Sequence, residues 1–192
     1  IAVEGIYDLR QHKDEVLMPV LRHWKVFERT DLGPEGEKAR DQVAEFLDDL
    51  SVRKGRDIVL ALEPEPDCLL ETTDDVIRWF EDELLHQGIR WLSGNGRRSR
   101  GEAEALLRRR IGLCLDTCHF AVAFEDPLTA LIRFESACLR VARIQLSAAI
   151  RTTVTDEALA RLAAFIDPVY LHQTKIRLPR GKIVALPDLT AE

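Results

Sequence analysis

Long apolar runs are missing from this chain. No stretch approaches the ~20 residues a membrane-spanning helix needs, which argues against an integral helical membrane protein. No charged, apolar, small-residue leader of the secretory kind is visible either. The four cysteines, Cys68, Cys114, Cys118 and Cys138, form no Cys-x-x-Cys pair. With Cys114 inside an apolar run, the expectation is a reduced, intracellular protein, located in the cytoplasm. Positive charge is not in excess. A net charge of -6 disfavours a nucleic-acid backbone as the main partner. Basic clusters at 97–100 and 108–110 read as the solvated face of a charged helix. Histidine is scarce, with five in all.

What is present is ordinary for a globular protein. The 192 residues are 46% hydrophobic and 31% charged, enough for one domain with a substantial core. Residues 1–36 form an N-terminal segment with no assigned role. Within it, 1–6 suits a short strand. Val16, Leu17, Val20, Leu21 and Trp24 have helical spacing, interrupted by Pro19. His12 and His23 read as surface residues, and Gly33-Pro34-Glu35-Gly36 as a loop.

From Glu37 the pattern becomes regular. Ala39, Val43, Phe46, Leu47 and Leu50 make an apolar helical stripe that ends at Lys54-Gly55-Arg56. The run Ile58-Val59-Leu60-Ala61-Leu62 reads as a strand, stopped by Glu63-Pro64-Glu65-Pro66 because proline has no ladder donor. Glu63 and Glu65 point the same way in extended chain. Glu63 follows the strand directly and is preferred as a functional group over a solvated acidic turn. Thr73 is the expected N-cap of a helix whose stripe is Val76, Ile77, Phe80, Leu84 and Leu85, ending at Gln87-Gly88. A polar loop spans 93–101, and a short amphipathic helix spans 102–110.

The central stretch is Ile111-Gly112-Leu113-Cys114-Leu115-Asp116-Thr117-Cys118-His119. Its apolar half reads as a strand buried on both faces, as in a parallel sheet. Asp116 and His119 point to opposite faces of a straight strand. They serve one site only if the strand stops at Asp116 and the chain folds over. The alternative is an Asp that caps the next helix and a His that packs at the strand end. Further on, 127–139 reads as helix, 141–146 as a strand ending in Gln145, and 156–165 as helix. Residues 169–171 read as a brief extended run before His172. The tail 178–182 reads as loop, and 183–186 as a last short strand.

Strands alternate with helices of about ten residues, which predicts βαβ units and a parallel sheet. Glu63, Asp116, Gln145 and His172 each end an extended piece. Strand ends of a parallel sheet converge on one face.

Residues 111–119 resemble the strand "GVCxDTCH" of the endonuclease IV branch of the xylose-isomerase-like barrel superfamily, whose sugar epimerases carry a related "LDTxH". The segments at 61–72 (ALEPEPDCLLET), 113–126 and 168–173 (PVYLHQ) resemble the EboE metabolite traffic proteins of that superfamily. The likeness runs from about Glu37 to Ile183. It implies an α/β fold, a (β/α)8 TIM barrel, present here as a fragment, since a whole barrel takes about 250 residues. It also implies a divalent metal (Mn, Mg or Zn) at the strand ends. Glu63, Asp116, Gln145 and His172 are the implied ligands, and Glu63 and His119 the implied catalytic groups. Gln145 stands where a histidine ligand is usual, a change that suits Mg²⁺ or Mn²⁺ better than zinc.

Three functions follow as expectations. One is a metal-dependent isomerase or epimerase acting on a small sugar- or polyol-like metabolite, with Glu63 shuttling a proton. Another is a non-catalytic barrel that binds a metabolite and hands it on, together with partner proteins of the same pathway. The third is phosphodiester hydrolysis of the endonuclease IV kind, disfavoured by the few histidines and the negative charge.

Overall fold

The computed structural model describes residues 2–3, 34–94, 96, 98–166, 172–186 and 188–189, with side chains from Val43 onward. The expected helix near 15–24, His12, His23 and the extended run 169–171 lie outside these residues. Of the expected first strand, Ala2–Val3 is described and forms β1.

Helix α1 spans Pro34–Lys54. It takes in most of the expected loop at 33–36, because proline has the fixed φ and missing donor that suit a first helical turn. Val43, Ala44, Leu47 and Leu50 are buried on one stripe. Gly55, at φ 63°, turns the chain out of the helix. Strand β2, Leu60–Leu62, follows and is buried throughout.

Helix α2 spans Thr73–Arg78. Its N-cap is Thr72, one residue earlier than expected, in a capping box with Asp75. Thr73 is instead buried, and its N–H and hydroxyl donate to Glu125 Oε2 at 2.9 and 2.6 Å. The helix passes through a π-helical stretch, Trp79–Leu85, into α3, His86–Gly94. The expected stop at Gln87-Gly88 does not occur. Leu85, Ile89 and Leu92 continue the buried stripe at helical spacing, and Gly88 is buried with them. Helix α4, Arg100–Arg110, is capped by Ser99 with Glu102 in a second capping box.

Strand β3, Ile111–Asp116, is buried at every position, as its uninterrupted apolar pattern requires. It is followed by α5, Thr117–Val122, and α6, Pro127–Ser136. Strand β4 is Val141–Gln145, and α7 is Asp156–Leu162. The chain ends in an antiparallel hairpin of β5, Thr174–Arg177, and β6, Ile183–Leu186. Strand β5 has no counterpart in the sequence reading.

The main sheet has the order β1-β2-β3-β4. Strands β2, β3 and β4 are parallel, and β1 is antiparallel to β2. No closed barrel is formed among the described residues. Gly112 is required where β3 meets the start of β4, because a Cβ there would lie 2.8 Å from the Arg140 carbonyl oxygen. That oxygen also accepts the Leu113 N–H at 2.8 Å.

The core gathers α1, the α2–α3 helix, α4, β2 and β3, and Phe120 and Phe134 meet edge to face within it at 6.0 Å. At the base of β3, Arg110 is buried rather than solvated. Its Nε donates to Asp48 at 3.0 Å and its Nη1 to Asp57 at 2.8 Å. The Arg140 guanidinium beside Asp57 holds that carboxyl below its usual value, against the opposing pull of burial, and Arg110 adds to the effect. No helix among the described residues is long and apolar enough to cross a membrane.

Candidate functional site

The C-terminal ends of β2, β3 and β4 bring Glu63, Asp116 and Gln145 together. Register explains the meeting. Asp116 pairs directly with Gln145 across the parallel β3–β4 ladder, and Leu62 is opposite Leu113 on the other side. Asp116 is both strand end and helix cap. The strand stops there, and its side chain accepts the Cys118 N–H at 3.0 Å to start α5. The two alternatives for this residue are therefore compatible. Because the chain turns at Asp116, His119 comes back over the same edge.

The amide of Gln145 lies between the two carboxylates. Its Nε2 donates to Glu63 Oε1 at 2.8 Å and to Asp116 Oδ2 at 2.9 Å. The other Asp116 oxygen takes the Ser147 hydroxyl as well as the Cys118 N–H. The Ser147 oxygen in turn accepts the Cys118 N–H at 3.0 Å. Thr117 ties the loop after β4 to α5, accepting the Ser147 N–H at 2.8 Å and donating to the Ser147 carbonyl at 2.7 Å.

His119 faces the other side of the group. Its Nδ1 is 3.1 Å from the Pro64 carbonyl oxygen and 3.5 Å from Glu63 Oε1. A carbonyl only accepts, so Nδ1 carries the proton in that bond. Nε2 is then the lone-pair nitrogen of the neutral ring. The Glu63 and His119 side chains are each 17% exposed, and Asp116 is 8% exposed. The group is thus sheltered but reachable.

Burial is the largest influence on the Asp116 carboxyl and pushes it up. The Ser147 hydroxyl and the Cys118 thiol and amide outweigh it and hold Asp116 below the usual carboxylate value. Asp116 is therefore an anion at neutral pH. Burial also raises the Cys118 thiol, a shift that the nearby Asp116 reinforces and Ser147 opposes. Cys114, deep in β3, is pushed up to about 11 by burial first and then by Glu63, so it stays a thiol.

His172 does not join this group. Its backbone N–H and its Nδ1 go to Asp188, at 2.9 and 3.3 Å. Glu65 is exposed and accepts from Gln173 at 2.9 Å. The next residues of the hairpin also fasten to this loop, where Lys175 pairs with Glu71 and Asp67. Two participants went unassigned in the sequence: Ser147 and Cys118. The signal for Cys118 was its place at the second helical position after the Asp116 cap. Ser147 had no signal, because its place depends on where β4 ends.

The residues fit a divalent cation. Two carboxylates converge on one polarised N–H₂ group, which is the arrangement a cation also satisfies. A turn of the Gln145 amide would present its oxygen there instead, and amide orientation is set by the surrounding bonds. Asp116, Cys118 and His119 also each offer a ligand atom, all within 4.8 Å of one another.

Away from the strand ends, an open cleft of about 540 Å³ lies between α1 and α4. Glu45–Arg98 and Asp48–Arg109 ion pairs cross it, and Glu102 is taken up by the Ser99 capping box.

Comparison with known proteins corrects the resemblance. No family model matches the chain, and no solved structure matches it. Two curated relatives do match in part. Both are named as acyl-(acyl-carrier-protein) desaturase DesA1 of Mycobacterium tuberculosis, from strains CDC 1551 / Oshkosh and ATCC 25618 / H37Rv. Each is 54% identical over 52 residues, 27% of this chain. The chain spans 15% of the length of these relatives.

Membership of the xylose-isomerase-like barrel superfamily, and of its EboE branch, is therefore set aside. So are the sugar or polyol isomerase, the metabolite-handling barrel and the endonuclease IV-like hydrolase. The physical reason is the brevity of the motif. Leu-Asp-Thr-Cys-His also meets a purely local need, in which Asp116 caps α5 and Thr117 anchors the next loop.

Proposed function

We propose that the C-terminal edge of β2–β4 is a divalent-cation site that serves polar chemistry on an oxygen-bearing ligand. The observation that carries this reading is the placement of Gln145 Nε2 within hydrogen-bond reach of both Glu63 and Asp116. Glu63 and Asp116 supply the negative charge, Gln145 a neutral oxygen, and His119 Nε2 a further donor. When bound, the cation would polarise an oxygen of water or of a hydroxyl or carbonyl ligand. The chain's own residues do the rest. Pro64 fixes the tautomer of His119, so the ring presents its lone pair while Glu63 stays beside its protonated side. Ser147 and the Cys118 amide keep Asp116 ionised and oriented.

The test is a Mn²⁺ titration of the full chain, following the free ion by electron paramagnetic resonance. Wild type is expected to bind about one ion, and Asp116→Asn to weaken binding by about tenfold or more. Asparagine still caps α5, so the helix is kept. Equal affinity in the two proteins overturns the reading.

A second reading rests on the 54% identity over 52 residues with the desaturase relatives. On it, the chain shares a part in desaturation of acyl groups on acyl-carrier protein. An assay with acyl-loaded carrier protein and a reductant system checks it. An unsaturated product supports this second reading, and unchanged substrate removes it.

A further inference from the structure

The cap that starts α5 does more than begin a helix. An N-cap side chain folds over the first turn toward the second and third helical residues. Here those residues are Cys118 and His119, and the cap is Asp116. The local motif thus gathers a carboxylate, a thiol and an imidazole, with a ligand atom of each within 4.8 Å of the others. Zinc bonds a carboxylate, a thiolate and an imidazole alike, at ~2.0–2.3 Å. Cys118 is half-buried, with its amide fixed by both Asp116 Oδ1 and Ser147 Oγ at 3.0 Å. His119 is held at the same edge by its Nδ1 contact with the Pro64 carbonyl oxygen at 3.1 Å.

We propose that Cys118 is a thiolate ligand of this site and makes it selective for a thiophilic divalent ion, Zn²⁺, over Mg²⁺ and Mn²⁺. The inference rests on the cation-site reading above and adds its metal preference. Carboxylate and amide oxygens accept hard and borderline ions alike, whereas a thiolate discriminates in favour of zinc. Loading the site transfers one proton from Cys118 Sγ to bulk water as the metal–sulfur bond forms, with no change of oxidation state.

Co²⁺ provides the optical probe, because a thiolate ligand gives it a near-ultraviolet charge-transfer band that oxygen and nitrogen ligands do not. The full chain is titrated with Co²⁺, and separately with Zn²⁺ and Mn²⁺, as wild type, Cys118→Ser and the control Cys68→Ser/Cys138→Ser. Wild type and control are expected to show the band, and Cys118→Ser to lack it while still binding Co²⁺. Cys118→Ser should weaken Zn²⁺ by about tenfold or more and leave Mn²⁺ nearly unchanged. Co²⁺ bound by wild type without the band overturns the role of Cys118 and leaves the cation site standing. No binding of any of the three ions overturns both. A band that survives Cys118→Ser and vanishes in the control shows a surface thiol as the ligand and overturns the proposal.

Discussion

The protein divides into two regions of different construction. Between Val43 and Leu139 lie all the buried residues among those described, including Phe80, Phe120 and Phe134. From Arg140 onward no described residue is buried. Leu146 is 89% exposed and Phe165 54%, and α7 has no buried residue. The first region is held by apolar packing, which is worth about 25 cal/mol per Å² removed from water. The second is held by the β3–β4 ladder and by side-chain bonds such as those of Thr117, Gln173 and Lys175. The candidate site straddles the two. Glu63, Asp116 and His119 stand on the packed region, while Gln145 and Ser147 come from the lightly buried one. The anionic groups are therefore held firmly, and the neutral groups that turn toward them can adjust.

The largest effect that would sharpen this division comes from its packed side. Phe134→Ala is expected to cost about 3–5 kcal/mol in urea unfolding, the scale of a large-to-small core change. A loss below about 1 kcal/mol would show that Phe134 is not a core residue. Gly112→Ala tests the joint between the regions. Its new Cβ would press on the Arg140 backbone, so a loss of about 1–3 kcal/mol is expected. Full native stability would mean that β4 can move away at no cost.

Acid pH probes the charged joints. Asp116 and Asp57 are held below the usual carboxylate value, and so is Asp48, where burial pushes up but Arg110 and Arg109 outweigh it. The unfolded chain therefore binds more protons over that range, and stability rises with pH. The contribution is complete above the unfolded value of about 4 and is lost as pH falls through the lower folded values. The urea midpoint should drop between pH 6 and pH 3, by less in Asp48→Asn than in wild type. An identical drop in both would remove Asp48 from the explanation. The smallest effects belong to the exposed region: Leu146→Ser and Phe165→Ala should each shift stability within about 0.5 kcal/mol. A loss above 2 kcal/mol in either would erase the distinction between the regions.

Much of the packed region was legible in the sequence because its signals are local. The apolar runs ending in Glu63, Asp116 and Gln145 mark strand ends, and parallel order brings them to one edge. The Gly88 stop failed because the stripe through Ile89 and Leu92 outweighs one glycine. Arg110 read as a surface charge, since nothing nearby in sequence reveals Asp48 and Asp57, more than fifty positions away. Strand β5 was missed because Thr174-Lys175-Ile176-Arg177 has little apolar pattern and gains its order from pairing with β6. Of the candidate ligands, Glu63, Asp116 and Gln145 meet, whereas His172 turns to Asp188. Family membership was not legible from short motifs, because strand-end and cap residues recur wherever a strand feeds a helix.

The most direct measurement is the anomalous diffraction of crystals of the full chain soaked in Mn²⁺. The account predicts a peak at the carboxyl ends of β2 and β3, within ligand distance of Glu63 and Asp116, with the Gln145 amide turned to present its oxygen. A saturating soak that leaves Gln145 Nε2 bonded to both carboxylates, with no peak beside them, would contradict it.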